Sequence, residues 1–112
     1  MKYYYDLYIS DSLKKKKDEI FSKIESGKVQ LNLYLIVLAH NEKNHLEFFD
    51  SAMLQQKIFS EQDLFVVGIA EGYYGALKLI ERITQEVLDE TKGVNLRSYI
   101  IGKQKEFEES NV

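Results

Sequence analysis

Residues 64–83 constrain the chain more than any other stretch. Leu64 to Ala70 is an unbroken run of apolar or small residues, the mark of a strand covered on both faces. Glu71-Gly72 breaks the run. A helical pattern then begins, with Leu77, Ile80, Ile83 or Thr84, Val87 and Leu88 as its stripe, and runs from about Tyr73 to Thr91. Lys92-Gly93 supplies a positive charge and a glycine stop. A strand, a glycine turn and a helix make the unit of an α/β fold. Such folds place ligands at the carboxyl ends of their strands.

The rest of the chain is arranged around this unit. Residues 3–9 form strand 1, with Tyr3, Tyr5, Leu7 and Ile9 on one face and Tyr4, Asp6 and Tyr8 on the other. That alternation suits an edge strand. Its tyrosines serve either as amphipathic cover for the edge or as an oligomer contact. Ser10-Asp11-Ser12 offers a helix cap. Leu13, Ile20, Phe21 and Ile24 follow as a stripe, and Gly27 is the stop. Residues 29–39 read as strand 2. Asn44 can cap a helix over about 45–59, with Leu46, Phe49, Met53 and Leu54 inward. Residues 94–101 alternate Val94, Leu96, Ser98 and Ile100 against Asn95, Arg97, Tyr99 and Ile101, which predicts a second edge strand.

Strands then start near residues 3, 33, 64 and 95, about 31 apart, which fits a strand with a crossover helix. Residues 33–39 also align with 64–70, with Leu33, Ala39 and Leu46 opposite Leu64, Ala70 and Leu77. The fold class is therefore α/β, in the order βαβαβαβ. The expected sheet is small, four-stranded and mainly parallel, with strands 2 and 3 central and helices packed on it. The alternative is a ferredoxin-like βαββαβ arrangement of the α+β class, with 40–63 as a long hairpin connection. At 112 residues the chain has room for one core. The domain spans 1–102, and 103–112 is a charged tail, frayed or forming a short terminal helix.

Composition excludes several classes. With no cysteine there are no disulfides, thiolate metal sites or cysteine nucleophiles. A net charge of −3 argues against nucleic acid as a partner. Lys14–Lys17 is then a solvated face, since no aromatic residue is interleaved with the lysines. No apolar run approaches the ~20 residues needed to span a bilayer, and Met1–Asp6 lacks a signal-peptide core. A cytoplasmic protein with no membrane partner is expected. The wealth of Lys, Glu, Ile, Asn and Tyr suggests an AT-rich bacterial genome.

Parallel strands 2 and 3 would set the loops 40–45 and 71–75 side by side. Candidate ligand-binding residues are thus His40, Asn41, Glu42, His45, Glu71, Gly72, Tyr73 and Tyr74. No metal or cofactor is expected. The histidines stand five apart where a zinc helix needs four, and neither Gly-x-Gly-x-x-Gly nor a P-loop is present. Val67-x-x-x-Glu71-Gly72 resembles part of the Toprim fold, over about eight residues. Gly75 stands where that family often carries an aspartate, and no Asp-x-Asp follows. The resemblance therefore implies no magnesium chemistry. The expected function is a non-enzymatic module that binds a protein partner or a small molecule and forms a homo-oligomer. The alternative is a small enzyme using His40 and Glu71 as an acid–base pair.

Overall fold

In the computed structural model, residues 1–39, 45–56 and 63–111 are described. Strand β1 (Lys2–Ile9) leads through a 3-10 turn (Asp11–Lys16) into helix α1 (Lys17–Glu25). Strands β2 (Leu33–Leu38), β3 (Leu46–Asp50) and β4 (Phe65–Glu71) follow, with a second 3-10 turn at Ser51–Gln55. Helices α2 (Gly72–Thr91) and α3 (Leu96–Ser110) complete the fold. The class is α/β, with one mixed four-stranded sheet and three helices among the described residues. The sheet order is β1-β4-β2-β3.

β2 and β4 are central and adjacent, as expected of strands 2 and 3. They run antiparallel, with Leu33 paired to Glu71 and Leu35 to Ile69. Among the described strands only β1 and β4 pair parallel. The mainly parallel βαβαβαβ order is corrected accordingly, and the βαββαβ alternative does not match the observed order of elements either. The cause lies at 46–50, where the expected helix is replaced by a strand on the free edge of β2. Leu46, Phe49 and Met53 have helical spacing, but Leu-Glu-Phe-Phe also fits a pleat. The exposed ladder of an all-apolar β2 decides between them, because β-propensity yields to cross-strand pairing. The Asp50 side chain then accepts from the Ala52 N–H at 2.9 Å and starts the short turn.

Each face of the sheet carries its own core. On one side Tyr4, Tyr8, Ile36, Val67 and Ala70 pack against α2 and α3. On the other, Leu35, Val37, Val66 and Ile69 pack against Leu13 and Ile20 of the α1 layer. The buried stripe of α2 is Ala76, Leu79, Ile83 and Val87, rotated from the expected one, so Leu77 and Leu88 stay partly exposed.

The expected edge strand at 94–101 is helical instead. Leu96, Ile100 and Gln104 are the buried residues of α3, spaced by four. Over eight residues that spacing looks the same as alternation. The Asn95 side chain caps the helix by accepting from the Ser98 N–H at 3.1 Å. The helix continues to Ser110, through residues expected to be mostly tail. It closes the outer edge of β1. The Tyr5 N–H donates to the Gln104 side chain at 2.9 Å, Phe107 stacks on Tyr5, and Lys2 pairs with Glu108 at 2.7 Å. The tyrosines of β1 are thereby engaged within the chain.

Tyr4, Tyr8 and Tyr99 gather around Glu86, to which the Tyr8 hydroxyl donates. Burial first, and then neighbouring phenols and carboxylates, hold all three phenols above their ordinary value. Tyr99 is pushed up to about 12. A phenol in the unfolded chain ionises near pH 10. The folded chain keeps its protons longer, so this stability is complete below pH 10 and is lost as pH rises through the folded values. Urea midpoints are expected to fall steeply between about pH 10 and 12, and less steeply in Tyr8→Phe.

Candidate ligand-binding groove

β4 ends at Glu71, and the chain must turn at once to lay α2 back on the sheet. Gly72 makes that turn with φ of +75°. Its N–H donates to the Asn32 carbonyl at 2.8 Å, and Asn32 is itself left-handed. A Cβ on Gly72 would lie 3.3 Å from the Asn32 side chain. The turn before β2 and the turn after β4 therefore brace each other. Gly72→Ala is expected to cost about 1–2 kcal/mol through left-handed strain, measured by urea denaturation.

Glu71 stands between two clefts. The larger, about 670 Å³, lies on the α1 face between α1 and residues 29–33. Leu13, Ile20 and Leu33 are buried and make an apolar floor. Leu31 is 93% exposed and Val29 56%, and both stand at the rim. Lys16, Lys23, Glu19, Asn32 and Glu71 supply the polar lining. Lys23 is engaged by Glu19 at 3.0 Å, which holds the Glu19 carboxyl below its ordinary value. Lys16 has no ion pair among the described residues. The smaller cleft, about 280 Å³, lies at the carboxyl ends of the parallel pair β1 and β4. Two of its charged groups are engaged: Lys14 approaches Asp11 at 3.0 Å, and the Arg82 guanidinium donates to the Ile9 carbonyl at 3.2 Å.

The antiparallel register separates the expected site residues. Glu71 lines the groove, and Gly72 is bonded to its Asn32. Tyr73 and Tyr74 follow directly but turn to the other side. Tyr73 lies 5.5 Å from the Phe48 ring and 6.3 Å from Tyr34, and Tyr74 packs edge-on to Tyr73. His45 sits at the far end of β2, where its carbonyl accepts from the Ala39 N–H and its Nδ1 from the Arg97 N–H at 3.4 Å. Six residue steps along β2 separate Ala39 from Leu33, the partner of Glu71, or roughly 20 Å. His40, Asn41 and Glu42 lie outside the described residues. Near His45, Nε and Nη2 of Arg97 are buried and have no hydrogen-bond partner among the described residues.

The residues that shape the groove, Ile20, Leu31, Asn32 and Lys16, were not among the candidates. The alternation of Val29, Leu31 and Leu33 predicts that Leu31 belongs to strand 2. The strand in fact begins at Leu33. Among the described residues no group of three His, Asp or Glu could hold a metal ion, and no helix is long and apolar enough to cross a membrane.

Fold and groove define a small α/β protein with a mixed four-stranded sheet and a half-apolar cleft beside one turn. No protein-family model, no curated protein and no solved structure matches the chain.

Proposed function

We propose that the chain is a non-enzymatic, cytoplasmic binding module. Its ligand is a small amphipathic molecule, an apolar body with one anionic group, held between α1 and residues 29–33. The observation that carries this is Leu31, 93% exposed on a braced turn above an apolar-floored groove of about 670 Å³. That volume falls within the range of small-molecule sites. An exposed leucine is ordinary by itself. Here it adjoins Val29 and a buried floor, so a bound apolar body would cover all three at once. The Lys16 ammonium at the rim, in no ion pair among the described residues, suits a carboxylate.

The enzyme reading needs the carboxyl ends of β2 and β4 at one end of the sheet. Their antiparallel register favours binding over acid–base catalysis by His40 with Glu71.

Backbone amide spectra recorded during titration with octanoate and with phenylpropionate test the proposal. Shifts are expected to concentrate at Leu13, Ile20, Leu31, Leu33 and Glu71. Leu31→Ser combined with Lys16→Gln should reduce affinity at least about tenfold, the equivalent of 1.4 kcal/mol. Absent shifts, or shifts scattered over the surface, would reject the groove as a site.

A further inference from the structure

The two edges of the sheet are treated differently. α3 closes the β1 edge, where Gln104 takes up the Tyr5 N–H. β3 is the other terminal strand. Its pairing with β2 fixes which backbone groups point outward. The Ala39 N–H donates to the His45 carbonyl, and 39 and 45 continue the register in which Val37 meets Glu47 and Leu35 meets Phe49. Those are the hydrogen-bonded pairs of an antiparallel ladder, which alternate with the non-bonded ones. The N–H and C=O groups of Leu46, Phe48 and Asp50 therefore face away from β2. Among the described residues no backbone partner takes up those of Leu46 and Phe48, whereas the Asp50 carbonyl caps the 3-10 turn at Ser51–Gln55 and leaves only its N–H outward.

We propose that the β3 edge is the dimer interface of this protein, pairing antiparallel with β3 of a second copy about a two-fold axis at Phe48. Two identical strands can pair this way in several registers, and two features select this one. It sets Phe48 opposite Phe48 of the second copy and Leu46 opposite Asp50, so the two Phe48 residues exchange both backbone bonds and the Asp50 N–H donates to the Leu46 carbonyl. It also sets Glu47 opposite Phe49. Moving the axis one residue earlier would face Glu47 with Glu47 of the second copy, and like charges directly opposite are destabilising.

The face beside this edge fits the same partner. Phe48, Tyr34, Tyr73 and Tyr74 form a contiguous aromatic cluster, with Tyr73 52% and Tyr74 77% exposed. The two-fold brings two such clusters together across the seam. Aromatic residues are enriched in interface cores of this kind. The product is one eight-stranded sheet whose outer edges are both β1, each closed by its own α3. Closed outer edges stop growth at the dimer.

The absence of cysteine makes the test specific. Opposed residues on paired strands lie within disulfide reach. Phe48→Cys is expected to give a disulfide-linked dimer on mild oxidation. Leu46→Cys, which faces Asp50 of the second copy, should stay unlinked. Sedimentation of the native chain at high micromolar concentration should give twice the chain mass, and Phe48→Lys should return it to one. A native chain that sediments as a monomer would overturn the proposal. So would a dimer that Phe48→Cys fails to link, or that Leu46→Cys links equally well. A circular dichroism spectrum of Phe48→Lys separates lost pairing from lost folding. If that variant is unfolded, the cysteine pair still decides.

Discussion

Ile100→Ala is expected to lower the unfolding free energy by about 2–5 kcal/mol, the range for removing a buried isoleucine side chain. Ile100 is fully buried in the core on the α2 face, together with Leu96 and Ile83. It belongs to α3, the helix that also satisfies the β1 edge through Gln104 and Lys2–Glu108. A cavity beneath α3 removes dispersion contacts and weakens the clamp on that edge together. Urea denaturation followed by circular dichroism measures the loss. A change below about 0.5 kcal/mol, the size typical of a surface position, would mean that α3 is not part of the core. Ile101→Ala, one residue along and only half-buried, should cost clearly less.

Gly68→Ala is the second large effect, expected at about 1–3 kcal/mol of overpacking. A Cβ there would sit 3.2 Å from Cδ2 of Leu79 and 3.2 Å from the Tyr8 carbonyl oxygen. The leucine can rotate away, but the carbonyl belongs to the neighbouring strand and cannot. Adding Leu79→Ala to Gly68→Ala should therefore relieve only part of the strain. A double-mutant cycle isolates that part, since residues in contact couple by 0.5–3 kcal/mol. Full additivity of the two substitutions would show that α2 does not press on the glycine.

Legibility followed how local each decision was. The strand at 65–71, the turn at Gly72 and α2 were readable, because burial, glycine and the 3.6 period all act within a few residues. Residues 46–50 were not. Their apolar spacing fits a helix and a strand about equally, and the choice depended on β2 needing a partner on its free edge. Residues 94–101 failed through shortness: Leu96 and Ile100 satisfy periods of two and of four, and the deciding contacts lie on α2 and β1. In the groove, Glu71 and Gly72 were visible as the end of an apolar strand. Leu31 and Asn32 were missed because their turn is held by a carbonyl bonded to Gly72, forty residues away.

The sequence by itself determined the class of the fold, the two central strands and the turn at Glu71-Gly72, because these rest on local periodicity and on backbone angles that few residues accept. Only the tertiary structure decided the direction of β2 against β4, and with it which loops share an end of the sheet. Strand direction is set by how many times the chain reverses between two strands. β3 and β4 each stand an odd number of reversals from β2 and run antiparallel to it, which separates His45 from Glu71 and gives Glu71 the groove of α1 as its neighbour instead.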